Sequence, residues 1–169
     1  MSNHRCTNME LHDIVKIAKA TAEQHNGEHP SSFIIEKDNA LKLFVVSMEN
    51  DLDKLLAVKA IEQLVKRESV DMYCSVFGAW MAQEKPKEGK RISELSKDEK
   101  QEIIVVSKHT KQGTWSAICP FSREDDKEEG ALIWGEEIHT NPEISTSYDR
   151  FNIWIQHNIV IGERKNGGD

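Results

Sequence analysis

The sequence predicts a single α+β domain, a mostly antiparallel sheet of about five to six strands flanked by two to three helices. Three observations carry this reading: two segments with apolar residues at helical spacing, a series of short apolar segments rich in β-branched and aromatic residues, and an element order that does not alternate strand with helix. Strict alternation would point instead to a doubly wound nucleotide-binding sheet. With 169 residues, 38% hydrophobic and 30% charged, the chain can enclose one core and lies far from the composition of disordered chains.

The first helix is announced by the capping-box pattern Thr7-x-x-Glu10, followed by Leu11, Ile14, Val15, Ala18 and Ala22 on one face. Gly27 and then Pro30 stop it. Residues 33–35 and 41–48 read as a hairpin around Asp38-Asn39, and the run Phe44 to Val46, apolar on both faces, places the second strand inside the sheet. Asn50 or Asp51 caps a second helix, in which Leu52, Leu55, Leu56, Ala60, Ile61, Leu64 and Val65 recur at intervals of three and four. Glu62 and Lys66 add an ion pair one turn apart.

A third strand covers 72–81, with Gly78 as a packing fit. The polar stretch 83–100 is expected at the surface, with a short helix capped by Ser96-x-x-Glu99. Residues 102–108 and 114–121 form a hairpin closed by Thr110 to Gly113, where Gly113 supplies a positive backbone angle. The acidic stretch 122–130 is a surface loop, 131–138 adds an edge strand, and 148–161 reads as a short helix on Phe151, Trp154, Ile155 and Asn158. The domain is expected to span 1–161, with 162–169 a disordered tail. Leu55, Ile61, Leu64, Val45, Val76, Val105 and Trp80 are expected to share one core.

Composition narrows the function. Twenty-nine acids against 22 bases give a net charge of -7, which opposes duplex nucleic acid as a partner. The three cysteines, Cys6, Cys74 and Cys119, are odd in number and lack a Cys-x-x-Cys pair, so a reducing cytoplasm is expected, without disulfides or a cysteine zinc site. No apolar run approaches the ~18 residues a membrane helix needs, and the first eight residues are polar, so neither a span nor a signal peptide is expected.

Ala79-Trp80-Met81, the charge-rich linker 93–101 and Glu102-Ile103-Ile104-Val105-Val106 resemble a family of small uncharacterised bacterial and phage proteins over the middle third of the chain. The resemblance implies a bacterial or viral cytoplasmic origin and no particular activity. Where the family has an acid this chain has Gly78, so no site is carried over.

For chemistry, His25-Asn26-Gly27-Glu28-His29 matches the H-x-x-E-H pattern, in which two histidines share a zinc ion and the glutamate activates its water. Gly27 and the position of His29 before Pro30 oppose the helix this motif needs. Glu36, Asp38, Glu49 and Glu102 with Lys108 lack the spacing of a nuclease metal site. No G-x-S-x-G elbow or phosphate-binding glycine loop occurs, Cys74 and Cys119 read as core residues, and His109 stands alone near a hairpin loop.

The remaining signal is aromatic. Trp134 and Trp154 lie in polar surroundings late in the chain, and with Tyr148 and Phe151 they form the expected binding surface. The sequence therefore reads as a non-enzymatic interaction or ligand-binding accessory protein acting on a host protein or small molecule, with no cofactor, and as a homodimer through a strand edge or the C-terminal aromatic segment. The alternative is a metal-dependent hydrolase of a nucleotide, peptide or nucleic acid, with His25, Glu28 and His29 as its metal site.

Overall fold

The computed structural model describes residues 10–37, 40–46, 50–68, 70, 72–82, 88–89, 91–110, 113–141, 147–149, 152–155 and 159–163, the last three segments as backbone alone. It has the expected α+β class. Three long antiparallel strands form its centre: β3 (Met72–Ala82), β4 (Gln101–Thr110) and β5 (Gly113–Arg123). Their register runs unbroken from Met72 opposite Thr110 to Met81 opposite Gln101, so Gly78 faces Ile104 with no bulge. The β4–β5 turn closes with Thr110 opposite Gly113, whose φ of 134° is the positive angle the sequence calls for.

Each outer edge of this trio is shared by two partners lying end to end. On β3, residues Tyr73 to Val76 pair with β1 (Ser32–Lys37), and Ala79 to Ala82 pair with the C-terminal β10 (Ile159–Glu163). The first of these leads on to β2 (Ala40–Val45), the second to β9 (Asn152–Ile155) and β8 (Ser147–Asp149). On β5, Ser116 to Ile118 pair with β7 (Ile138–Thr140) and Phe121 to Arg123 with β6 (Leu132–Trp134).

β4 shows why the sheet is covered on both sides. Ile103, Ile104, Val105 and Val106 are all fully buried, and they alternate between two cores. Ile104 and Val106 join Cys74, Val76, Ala117, Cys119 and Phe121 beneath helix α1 (Leu11–Gln24), which contributes Ile14, Val15, Ala18 and Ala22. Ile103 and Val105 join Phe33, Phe77, Ala79 and Ile118 beneath helix α2 (Asp51–Glu68), which contributes Ala57 and Ile61. Val76 and Val105, expected in one core, therefore lie on opposite faces.

α1 ends as its sequence predicts. Asn26 and Gly27 both have positive φ, and the Gly27 N–H donates to the Ala22 carbonyl. A Cβ on Gly27 would stand 2.6 Å from Nη2 of Arg123, so both backbone angle and space require glycine. Thr7 lies outside the described residues. Asn50 caps α2 by accepting from the Asp53 N–H at 2.8 Å, and Lys66 reaches Glu62 at 3.3 Å. The Ser96 hydroxyl donates to the Glu99 carboxylate rather than to a backbone group, and the expected helix there is a 3-10 turn, Lys97–Glu99.

Four expectations are corrected. Among the described residues β2 is an edge strand pairing only with β1, and Val45 is 61% exposed. Its apolar run does not mean two buried faces. Leu55, with Leu52 and Leu56, is exposed on α2, while Leu64 and Trp80 are half-buried, because the leucines early in that helix point away from the Ala57–Ile61 side. The segment read as a helix over 148–161 contains the strands β8, β9 and β10, since Ile153, Ile155, Ile159, Val160 and Ile161 are β-branched and half of β3's edge is open to pair with them. β10 also takes up Gly162 and Glu163, which the sequence assigned to the tail. No helix of the described residues is long and apolar enough to cross a membrane.

Candidate functional site

Exposed apolar surface gathers in one stretch of chain. Among the described residues, large hydrophobic side chains are exposed at Ile17, Leu41, Leu43, Val45, Leu52, Leu55, Leu56 and Ile133. All but the first and last fall between residues 41 and 56, on β2 and the first turns of α2. Leu41, Leu43 and Val45 share one face of β2, opposite Glu36, Ile34 and Ser32 of β1. Ile34 packs under the α1-side core, so this row lies on the α1 face of the sheet, beyond the cover that α1 gives to β4 and β5. Leu52, Leu55 and Leu56 stand on α2, which packs on the other face, so the exposed residues between 41 and 56 form two apolar patches, and such patches on a small domain mark contact surfaces.

Buried polar groups gather elsewhere. Ser75, Ser107, Ser116 and Thr140 lie directly opposite one another across β3, β4, β5 and β7, and all four are buried. Beside this row, Tyr73, His109 and Thr114 form a second one, with the Tyr73 and His109 rings stacked at 4.4 Å. Ser75 Oγ is 3.0 Å from His109 Nε2, His109 Nδ1 is 3.2 Å from Thr114 Oγ1, and Ser107 Oγ is 2.7 Å from Ser116 Oγ. Burial pushes the His109 pKa down to about 4, so the ring is neutral and carries one donor and one acceptor. The hydrogen-bond chain through it therefore runs one way at a time.

A serine beside a neutral histidine is the geometry of an activated nucleophile. Here Ser75 is 3% exposed and sits in register between Phe33 and Ser107, so its hydroxyl meets side chains instead of solvent. The arrangement works as a satisfied polar seam in the α2-side core. Sequence reasoning missed it because Ser75 and His109 are 34 positions apart and strand register alone brings them together.

The H-x-x-E-H residues sit in the turn after α1, beyond its last helical residue Gln24. His25 and Glu28 are exposed and His29 is buried, so the three point to different environments. His25 Nδ1–H donates to the Thr21 carbonyl and His29 Nδ1–H to the Pro30 carbonyl, and burial lowers the His29 pKa. Among the described residues no three His, Cys, Asp or Glu side chains are grouped to hold a metal ion.

This turn is held by Arg123, a residue the sequence analysis passed over. Its guanidinium pairs with Glu102 at 2.9 and 3.1 Å and donates to the Asn26 carbonyl, the Asn26 side chain and the Glu128 carbonyl. With side chains only 14% and 18% exposed, the pair ties the end of α1 and the acidic loop to the edge of the sheet.

Of the aromatic residues expected to bind, Trp134 is half-buried in the seam between α1 and β5. It meets the Phe121 ring edge-on at 5.3 Å, donates from Nε1 to Glu23 at 2.8 Å, and lies under the Lys19 ammonium. Lys19 also pairs with Glu137, which together with His139 holds the Glu137 carboxyl below its usual range. Phe151 lies outside the described residues. Tyr148 and Trp154 stand on β8 and β9, Trp154 opposite Ser147 and Val160. No protein-family model, curated protein or solved structure matches this chain.

Proposed function

We propose that this chain is a cytoplasmic, non-enzymatic binding protein of the small bacterial or phage accessory type, working through the exposed apolar residues of β2 and the first turns of α2. The observation that carries the reading is the concentration of exposed Leu41, Leu43, Val45, Leu52, Leu55 and Leu56, six of the eight exposed large hydrophobic residues among those described. Chemistry elsewhere supports it: the serine–histidine pair lies in the core, and the thiols of Cys74 and Cys119, pushed up to about 12 by burial, are held protonated and poorly nucleophilic. The ligand fitting such a surface is an apolar patch on another protein.

The test is quantitative. A protein captured in stoichiometric amount by the tagged chain is titrated against wild type and against Leu52→Asp with Leu56→Asp. At least a tenfold loss of affinity with an unchanged circular dichroism spectrum supports the reading; unchanged affinity removes this surface from it. Stoichiometric zinc in the wild type, lost on replacing His25 and His29, moves the assignment to a metal-dependent hydrolase.

A further inference from the structure

Among the described residues β2 has a free edge, and its backbone polarity can be read from one bond. The Val46 N–H donates to the Ser31 carbonyl at 2.9 Å, and the register places Val45 opposite Ser32. Residue 46 is therefore a hydrogen-bonded pair with 31, and the alternation of an antiparallel ladder makes Phe44, Lys42 and Ala40 the residues whose N–H and C=O face β1. Leu41, Leu43 and Val45 turn theirs outward. These same three residues carry the exposed side chains, at 58%, 63% and 61%. Nothing on β2 performs the usual protection of an edge except Lys42, its single charge.

We propose that two copies of this chain pair antiparallel along β2, about a two-fold axis at Leu43, joining their sheets into one. This rests on reading the exposed apolar residues of β2 and α2 as binding surface and names a second copy as the occupant of the β2 patch.

The register follows from the residues. With Leu43 opposite its own copy, Leu41 falls opposite Val45 of the other chain. All three outward-facing residues of each strand then exchange hydrogen bonds, and the six large apolar side chains of the two copies line one face. On the other face Lys42 falls opposite Phe44 of the second copy, so the two lysines are offset and each stem lies along a ring. Sliding by one pair in one direction sets Lys42 against Lys42, a like-charge contact. Sliding in the other takes Leu41 past the end of the strand at Val45. The centred register alone matches both the hydrogen bonds and the charge. A contact of six residues a side is small for a stable complex, which predicts association at micromolar rather than nanomolar concentration.

The experiment has two arms, both on the full chain with Cys6→Ser. Light scattering and sedimentation across the micromolar range should give a dimer mass for wild type and a monomer for Leu43→Glu. Leu43→Pro removes an N–H that β1 does not use and should give the same result. In the second arm, mild oxidation should cross-link Leu43→Cys to itself, since such pairs lie ~5.5 Å apart at Cα. Leu41→Cys and Val45→Cys should not cross-link singly but should do so when mixed. A monomer mass for wild type overturns the dimer, and if that monomer still binds another protein through Leu52 and Leu56, the broader binding function stands without it. A dimer indifferent to Leu43→Glu, or cross-linked at 41 or 45 alone, overturns this register.

Discussion

On one face of the sheet, α1 buries Ile14, Val15, Ala18 and Ala22 against β3, β4 and β5, and three polar links hold it in place: Lys19 to Glu137, Glu23 to Trp134, and the Arg123 clasp on its last turn. On the other face, α2 buries Ala57 and Ile61 among its described side chains, sends Leu52, Leu55 and Leu56 outward, and lies over a core that contains a hydroxyl row and a neutral histidine. The two helices have similar apolar content in sequence, so propensity does not explain the difference. What separates them is exposure: among the described large apolar residues α1 leaves only Ile17 exposed, whereas α2 leaves Leu52, Leu55 and Leu56. The residues buried under α1 should therefore carry most of the stability, and the exposed leucines of α2 little of it.

The comparison breaks most readily at Phe121, fully buried under α1 and in contact with Trp134. Phe121→Ala should lower the stability measured in urea by about 3–5 kcal/mol. A loss no greater than that of Leu55→Ala would mean the α1 face is not the principal core. Next in size is Arg123→Ala, which removes the guanidinium from Glu102 in a mostly enclosed site and frees the Asn26 turn; about 3 kcal/mol is expected, with faster exchange of the Gly27 amide.

The α2 face is sharpened by pH. The unfolded chain titrates His109 near 6.5 and the folded chain near 4, because burial disfavours the imidazolium. The folded form resists the proton that the unfolded form accepts. The stability present above about pH 6.5 is thus lost as the pH falls toward about 4, by up to about 3 kcal/mol. His29, lowered in the same direction, adds to the slope. Urea midpoints between pH 7 and 4 should fall more steeply for wild type than for His109→Gln, and parallel curves would show that the ring is open to solvent. The smallest effect belongs to Leu52→Ser with Leu56→Ser, for which a stability change within about 0.5 kcal/mol is expected together with higher solubility. A larger loss would place those leucines in the core after all.

Local patterning in the sequence was enough for both helices, for the stripe Ile14, Val15, Ala18 and Ala22, for the β4–β5 hairpin with Gly113 at its turn, and for Cys74 and Cys119 as core residues. Each of these depends on side-chain period or turn chemistry within a dozen residues, and that information is present in the chain without its neighbours. Which face of α2 is buried was not legible, because its leucines satisfy helical spacing on more than one side and only the position of Phe33 and Phe77 selects among them. An apolar run such as that of β2 reads the same at a free edge as in the middle of a sheet. Likewise, 147–149, 152–155 and 159–163 became strands because half of β3's edge was vacant, a fact held by residues far away in sequence. The candidate surface and the Ser75–His109 seam share this origin. Strand order and register are set by long-range pairing, and the sequence by itself marked the central strands but neither those within 148–161, which it read as a helix, nor what lies beside each strand.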